Sequence, residues 1–277
     1  VGFVVVDLLV LGVKPHWSQP TRVGALVQTD GSSDASSPFR DRGPLEDSLA
    51  IRMLMEGELD VLGRMPWSSN ATFLVDISFN NSFIQGVYKP SAGERPLHDF
   101  PSGIYIREVA TWELAKQLGW GMIPPTVTRS GPLGKGSIQL YIPCDYEQHY
   151  FSLRDNPSHL KELKKLAVFD LISNNTDRKA GHVLEGKDGK IWAVDNALNF
   201  HHQFKVRTVI WDWAGEPIDS NLIDDLNQFL SEGPSEPLLD LLTAMEVDAL
   251  ISRVQAVRSG GTLPHDTTGR RVPWPLL

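Results

Sequence analysis

The chain has 277 residues, of which 41% are hydrophobic and 22% charged, a composition typical of folded proteins with one two-lobed domain or two small ones. Its formal net charge of −8 argues against sequence-independent nucleic-acid binding, and an anionic membrane surface would repel it. The single cysteine, Cys144, excludes an intramolecular disulfide and a cysteine-based metal cluster, which favours a cytoplasmic protein.

Residues 1–44 are predicted to be a disordered or loosely attached tail. The apolar run 1–13 is too short to span a bilayer and is interrupted by Asp7, so we expect no transmembrane segment. No basic region precedes this run, which argues against a signal peptide. Residues 28–44 are rich in Gly, Ser, Asp and Pro, and such a segment buries too little apolar surface to order itself.

Residues 45–145 predict a first lobe built on a small antiparallel sheet. A helix is expected to begin at Glu46, and it is followed by two strand-like runs, 73–79 and 82–89, that meet at an Asn-Asn turn. After a second helix, two further strands are expected around a glycine-rich turn, at 122–128 and 137–142.

The loop that precedes the first hairpin is small and polar, and it includes Ser68, Ser69 and Asn70. In such a loop, backbone N–H groups and hydroxyls can approach phosphate oxygens closely. The same composition is more common in an ordinary turn. The loop is therefore a candidate phosphate cradle whose composition also fits a plain connection.

Lys89 ends the second strand of this hairpin, and the next helix, residues 106–118, carries Glu108 in its first turn. A strand lysine paired with a glutamate of the following helix is the arrangement that positions nucleotide phosphates in kinases. A lone strand lysine is usually solvated, so the interpretation depends on the two residues meeting.

Tyr141 opens a short stretch between the last predicted strand and the second lobe, residues 146–277. We place this stretch as a hinge whose groups contact an adenine, on the basis of chain position rather than a motif. The second lobe is predicted to be mainly helical, with helical spacing in three stretches: residues 157–172, 222–230 and 238–257. Residues 259–277 lack periodicity, and we expect them to be loosely ordered.

Two carboxylates flank a predicted hairpin in the second lobe. Asp177 precedes it and Asp195 follows it, with short apolar runs at 183–184 and 191–194 around a Gly-Lys-Asp-Gly turn. Closing the hairpin brings both carboxylates to the same end. With Lys179 beside them, they offer a base for a hydroxyl, a cation for phosphate and a carboxylate for a metal ion, as phosphoryl transfer requires.

The Asn-Thr-Asp-Arg and Ala-Val-Asp-Asn-Ala-Leu sequences of this region resemble the catalytic and metal-binding loops of phosphatidylinositol 3/4-kinase-like proteins. Similar loops occur in type II phosphatidylinositol 4-kinases and in bacterial toxin kinases. The resemblance implies that Asp177 is the catalytic base, that Lys179 contacts the transferred phosphate and that Asp195 binds the metal ion. The family places an asparagine metal ligand five residues after the base, where this chain has His182.

The resemblance also bears on the first lobe. It favours Glu108 over Glu113 as the partner of Lys89. The loop at Ser68 is similar to the Ser-Ser-Gly-Ser loop of the lipid kinases but lacks its glycine. The structural alternative for the second lobe is a polar turn beside a buried strand, in which Asp177 pairs with Arg178.

We therefore expect an α+β, two-lobed protein-kinase-like fold of the atypical lipid-kinase type, with a small antiparallel-sheet N-lobe and a mainly helical C-lobe. The expected activity is ATP-dependent transfer of the γ-phosphate to a hydroxyl of a lipid, a protein or a small molecule, with Mg²⁺ or Mn²⁺. A pseudokinase that binds nucleotide without turnover is the main alternative. A serine/threonine protein kinase or an adenylyl transferase on the same fold is also open.

Overall fold

A computed structural model describes residues 39–43, 45–65 and 70–277 of the chain. The strands are β1 Glu58–Arg64, β2 Phe73–Phe79, β3 Ser82–Pro90, β4 Thr126–Gly131, β5 Gly134–Leu140, β6 Cys144–His149, β7 Val183–Gly186 and β8 Ile191–Ala193. The helices are α1 Asp47–Glu56, α2 Tyr105–Gln117, α3 Tyr150–Leu153, α4 Leu160–Ser173, α5 Ser220–Glu232, α6 Glu236–Leu241 and α7 Ala244–Gly260. Single 3₁₀ turns lie at Ser91–Gly93 and Ala180–His182.

The N-lobe is a five-stranded antiparallel sheet with the strand order β1-β2-β3-β5-β4. The predicted hairpin of β2 and β3 is confirmed, and its two turn residues, Asn80 and Asn81, have φ angles of 47° and 62°. Asparagine tolerates this left-handed backbone, and a two-residue turn of this kind matches the right-handed twist of paired strands. The lobe core is aliphatic around Val75, Ile77 and Ile138, all fully buried between the sheet and α1.

Strand β1 was not predicted. It follows α1 with only Gly57 between them, and a Cβ atom on this residue would lie 2.5 Å from Ile77 and 2.7 Å from the carbonyl of Met53. Glycine is therefore required for the chain to pass directly from the helix into the sheet.

The second hairpin of the sheet has a shorter turn than predicted, because only two residues join β4 and β5.

The C-lobe is mainly helical, as predicted, and its central helix is α4. The helix buries Leu163, Leu166, Phe169 and Ile172 completely and packs against α7. A small sheet with the order β6-β7-β8 lies beside it and contains the predicted hairpin of β7 and β8. No helix in the described ranges is both long and apolar enough to cross a bilayer.

Three predictions for the C-lobe differ from the structure. Helix α4 begins at Leu160 rather than at residue 157. The helix expected over 238–257 is divided into α6 and α7 at Thr243, whose side chain and that of Glu246 cap the new helix reciprocally. The stretch after α7 is attached to the lobe by backbone hydrogen bonds rather than loose.

Candidate active site

Lys89 connects the two lobes. It lies near the end of β3, and its ammonium contacts one oxygen of Glu108 on α2 and lies 2.8 Å from Oδ1 of Asp195, which follows β8. The other oxygen of Glu108 accepts a hydrogen bond from the backbone N–H of Asn196 at 3.0 Å. The predicted contact between Lys89 and Glu108 is thus present, whereas Glu113 lies 3.4 Å from Nζ of Lys116 on the same helix.

Opposite charges stabilise the ionised forms of this group. The Lys89 ammonium holds the pKa of Asp195 well below its usual range, although burial opposes the effect. Burial would lower the pKa of Lys89, but the carboxylates of Asp195 and Glu108 outweigh it and raise that pKa. The Asp195 side chain is still 53% exposed, whereas that of Glu108 is 1% exposed. The accessible carboxylate of the group is therefore Asp195.

The hairpin aims Asp195 into the cleft. Strand β8 ends at Ala193, the N–H of Val194 donates to the carbonyl of His182, and the chain then turns at Asp195 with a φ of 55°. A positive φ is uncommon for a residue other than glycine, although aspartate and asparagine are enriched there. Because of this turn, the Asp195 carboxylate does not follow the direction of the buried strand β8.

The loop that carries Asp177 is held by asparagine side chains. Asn174 ends α4 in the left-handed conformation, and its amide donates to the carbonyls of His201 and Gln203, each at 2.7 Å. The side chain of Asn175 accepts a hydrogen bond from the N–H of Asp177 at 2.9 Å. Short amide side chains often satisfy tight turns in this way. The backbone at Asp177 is consequently fixed from inside the lobe.

Arg178 does not pair with Asp177, so the pairing assumed in the structural alternative is wrong. Its guanidinium is fully buried and lies 3.0 Å from Asp170 of α4. It also donates to the carbonyl of Val194 at 2.9 Å and to the side chain of Asn196 at 2.7 Å. One arginine thereby ties the Asp177 loop to the Asp195 loop and leaves Asp177 available.

Asp177 has Lys179 as its neighbour. Nζ of Lys179 lies 3.4 Å from Oδ2 of Asp177, and both side chains are partly exposed. Burial raises the pKa of Asp177, while the Lys179 ammonium acts in the opposite direction and the charge of Asp195 adds to the rise. A carboxylate whose pKa is raised is a better proton acceptor than an ordinary aspartate.

His182 lies beside Asp195, with Nε2 3.5 Å from Oδ2 of the carboxylate. The backbone N–H of Lys179 points at Nδ1 from 3.4 Å, which favours the tautomer with its proton on Nε2. Burial lowers the pKa of His182 to about 4, against the opposing effect of Asp195. The imidazole is therefore neutral at physiological pH, as a metal ligand would have to be, but its proton faces Asp195.

The donor set fits a metal ion that arrives with a nucleotide. Within the part of the chain that the structure describes, no three His, Cys, Asp or Glu side chains form a cluster that could hold a metal. Asp195 and His182 supply one carboxylate and one imidazole. Mg²⁺ bound to nucleotides commonly has only one or two protein carboxylates and takes its other ligands from phosphate and water.

The other predicted residues contribute less to the observed geometry. Ser68 and Ser69 lie outside the described residues. Asn70 accepts a hydrogen bond from the N–H of Arg95 at 3.0 Å. Along the chain, Tyr141 lies between the strands of the two sheets, as expected of a hinge. Its N–H donates to the carbonyl of Gln85, however, and its ring stacks on that of Phe39. Its N–H is therefore already used within the protein.

The sequence analysis missed the buried partners of Arg178, namely Asp170 and Asn196. Asp170 lies on the expected apolar helix, and a charged residue at a buried helical position is a signal that could have been followed. It also missed Glu94, whose carboxylate accepts hydrogen bonds from the N–H groups of Gly103 and Tyr105 and so supports the start of α2. No spacing rule connects Glu94 with that helix.

Solved structures show which class of fold this is. The chain aligns with hydra Fam20, solved with sugar, at a TM-score of 0.52 and 14% identity over 77% of this chain and 87% of that one. It aligns with a Golgi casein kinase with Mn/ADP bound at a TM-score of 0.51 and 14% identity over 82% and 78% of the two chains. The predicted two-lobed, kinase-like α+β fold is confirmed.

A sequence relative shows the family. Protein Rv2133c of Mycobacterium tuberculosis is 35% identical over 262 residues, which cover 81% of this chain and 94% of that protein. The chain belongs to the family of Protein Rv2133c. No family model matches the chain. The name of this relative states no activity, so the site is the guide to function.

Proposed function

We propose that this protein is an ATP-dependent phosphotransferase, of the phosphatidylinositol 3/4-kinase-like type, that transfers the γ-phosphate of ATP to a hydroxyl acceptor. One observation carries the proposal. Lys89 of the N-lobe contacts both Glu108 and Asp195, so a cation for phosphate and a carboxylate for metal meet in one cleft. The loop with Asp177 and Lys179 belongs to the same network, because Arg178 ties it to the Asp195 loop.

The N-lobe side of the cleft binds the nucleotide in this proposal. Lys89 contacts the α- and β-phosphates, and Glu108 keeps the ammonium in place. Asn70 borders the phosphates in this proposal, Ser68 and Ser69 stay sequence-based candidates for contacting them, and the hinge at Tyr141 borders the adenine. Because the Tyr141 N–H already donates to Gln85, other hinge groups supply the adenine hydrogen bonds.

The C-lobe side performs the transfer. Asp177 accepts a hydrogen bond from the acceptor hydroxyl and orients its oxygen toward the γ-phosphorus, and the oxygen–phosphorus bond forms as the bond to ADP breaks. Lys179 neutralises charge on the transferred group. The hydroxyl proton passes to Asp177, whose raised pKa suits it to hold that proton.

Asp195 would hold the divalent metal ion that accompanies ATP, with His182 next to it. Mg²⁺ or Mn²⁺ held there would supply positive charge that neutralises the phosphate oxygens. The 53% exposure of Asp195 leaves its carboxylate accessible to such an ion. The neutral imidazole either completes the metal ligands after a tautomer change or orients the Asp195 carboxylate with its Nε2 proton.

The test is a transfer assay with two labels. Purified protein is incubated with Mg²⁺ or Mn²⁺ and with ATP labelled at either the γ- or the α-phosphate, and with inositol lipids, proteins or small alcohols as acceptors. Transfer of the γ-label supports the proposal. Transfer of the α-label would identify an adenylyl transferase, and calorimetric ATP binding without turnover would identify a pseudokinase.

Two variants separate the base from the metal ligand. Asp177→Asn is expected to lower turnover by about 10²–10⁴-fold with nearly unchanged ATP affinity, because the base acts on the acceptor. Asp195→Asn is expected to weaken binding of the metal–nucleotide complex as well. A fully active Asp177→Asn protein would refute the role given to this carboxylate.

A further inference from the structure

Residues 39–41, which we call the strap, precede α1 and are attached to the N-lobe sheet. Nη2 of Arg40 lies 2.8 Å from Oδ2 of Asp76 on β2, and the backbone N–H of Arg40 donates to Oε1 of Gln85 on β3 at 2.8 Å. The Gln85 amide in turn donates to Oδ1 of Asp76 at 2.9 Å. The strap is therefore bound to a polar pair on two neighbouring strands.

This polar pair lies on the face of the sheet that borders the cleft. Side chains two and four residues apart along a strand lie on one face, so Gln85 shares its face with Val87 and Lys89. Lys89 identifies that face, because its ammonium contacts Asp195 of the C-lobe. Helix α1 packs on the opposite face, around Val75. The strap thus covers part of the nucleotide side of the sheet.

The covered part is the end of the cleft next to the hinge. Gln85 precedes Lys89 by about 13 Å along the strand, and its carbonyl accepts the N–H of Tyr141 at 3.0 Å. The Phe39 ring stacks on the Tyr141 ring, with centroids 5.3 Å apart and planes 19° from parallel, and Tyr141 is only 5% exposed. A nucleotide whose phosphates contact Lys89 extends along this face toward the hinge, so its base and the strap require the same place.

The strap is also attached to the C-lobe, at the turn between β7 and β8. Asp41 pairs there with Lys187 at 2.5 Å, and the N–H of Lys187 donates to the carbonyl of Pro143 in the hinge at 2.9 Å. Arg40, Asp41 and Lys187 are each at least half exposed. Exposed ion pairs are weak and are screened by salt, so the strap can leave its site at small cost.

We propose that the strap is an autoinhibitory segment that occupies the adenine end of the cleft and leaves it when a nucleotide binds. The inference rests on the proposed phosphotransferase function and adds regulation at the same site. Bases bind aromatic side chains by stacking, and Phe39 already takes that arrangement on the hinge tyrosine. The apparent affinity for a ligand is reduced by the fraction of molecules whose site is open. The strap therefore weakens ATP binding through the base and not through the phosphates.

The test measures ATP binding by calorimetry in the wild type and in variants of the strap. Phe39→Ala is expected to tighten ATP binding by about two- to tenfold, because the competing stacked pair is lost. Arg40→Ala is expected to tighten it by about two- to fivefold, because one exposed ion pair no longer holds the strap. The unfolding midpoint shows whether each variant is folded.

Arg52→Ala is the matched control for Arg40→Ala. Arg52 is also exposed and in the N-lobe, but it lies on α1 with its guanidinium over the Phe79 ring, on the other side of the sheet. The two substitutions remove the same charge, so a difference between them reports on the strap and not on the net charge. ATP affinity in Arg52→Ala should not exceed that of the wild type.

Inorganic tripolyphosphate with Mg²⁺ is the second probe, because it carries phosphates without a base. Its affinity should be the same in the wild type and in Phe39→Ala, and the same in Arg40→Ala as in Arg52→Ala. A gain for tripolyphosphate as large as the gain for ATP would overturn the inference, since the strap would then act on the whole cleft and not on the base.

The remaining outcomes separate the strap from the proposed function. Equal ATP affinity in the wild type, Phe39→Ala and Arg40→Ala would refute the strap and leave the proposed function intact. Weaker ATP binding in Phe39→Ala would also refute it, because Phe39 would then be a wall of the adenine site. If ATP binds to none of these proteins, the proposed function itself fails.

Hydrogen exchange in the unmodified protein gives a test without substitutions. Saturating ATP should speed exchange of the Arg40 amide, because its hydrogen bond to Gln85 is lost when the strap leaves. The same ATP concentration should have a smaller effect in Lys89→Met, which binds ATP less tightly. Exchange that slows or stays unchanged when ATP saturates the wild type would show that the strap remains in place and would overturn the inference.

Discussion

Two ion pairs of this molecule have the same chemistry and opposite surroundings. Arg178 and Asp170 are both fully buried, and the guanidinium also donates to Val194 and Asn196. Lys89 and Asp195 form their pair at the cleft, where the Asp195 side chain is 53% exposed. The first pair has its hydrogen-bonding capacity used within the protein, whereas the second retains a carboxylate that another ligand can reach.

This difference in exposure separates a pair with a structural role from a pair with a chemical one. A buried pair with further hydrogen bonds is costly to break, because the remaining charge has no water to solvate it. A pair with an accessible carboxylate exchanges one partner for another at small cost. We infer that the Arg178 pair holds the two loops in register and that the Lys89 pair is the part that rearranges when a nucleotide binds.

The largest expected effect is on stability. Arg178→Ala should lower the free energy of unfolding by about 3–5 kcal/mol, because it leaves Asp170 buried without its charge partner. Asp195→Ala should change it by less than about 1 kcal/mol, since Lys89 still pairs with Glu108. Urea denaturation measures both values. Equal losses in the two variants would contradict the contrast between the pairs.

The next effect concerns nucleotide affinity. Lys89→Met should weaken ATP binding by about tenfold to a hundredfold, because a charge-assisted contact to phosphate is lost. Calorimetry measures the affinity, and the unfolding midpoint shows whether the variant is folded. Lys164→Met is the control, since Lys164 pairs with Glu216 within the C-lobe and has no part in the Lys89 contacts. Unchanged affinity in Lys89→Met would remove this residue from the nucleotide site.

A third prediction concerns the effect of the Lys179 charge on the pKa of Asp177. As the proposed base, Asp177 has to be ionised for transfer, so kcat should fall as the pH drops through its pKa. Burial places that limb above the ordinary aspartate value of about 3.9. Lys179→Met removes the opposing positive charge and should move the limb to still higher pH. The pH profile of kcat is the measurement. A limb that stays in place in Lys179→Met would show that the two groups are not coupled.

The smallest effect is expected at His182. If its imidazole is a metal ligand, His182→Asn should shift the preference from Mn²⁺ toward Mg²⁺ by a few-fold, because Mg²⁺ favours oxygen ligands. Titration of each metal against transfer activity in both proteins measures the shift. An unchanged metal preference with full activity would instead assign His182 to orienting Asp195 through its Nε2 proton.

Much of the fold could be predicted because its signals are local. The hairpin of β2 and β3 depends on the Asn80–Asn81 turn, and α2 depends on helical spacing over thirteen residues. The candidate residues Lys89, Asp177 and Asp195 each stand near the end of such an element, and the resemblance to kinase loops suggested their roles. Strand β1 was missed because seven partly exposed residues carry a weak pattern.

The sequence by itself determined the two-lobed fold, the hairpins of β2–β3 and β7–β8 and the helices α2 and α4, since each follows from short-range spacing. The resemblance to kinase loops, rather than spacing, pointed to the candidate residues. Only the tertiary structure decided which partner Arg178 takes, which groups surround the His182 imidazole and where the stretch after α7 lies. These outcomes depend on which groups lose water when distant segments pack together, and the energy of a charge or hydrogen bond changes most at that step. No pattern among residues that are neighbours in the sequence encodes which groups lose water.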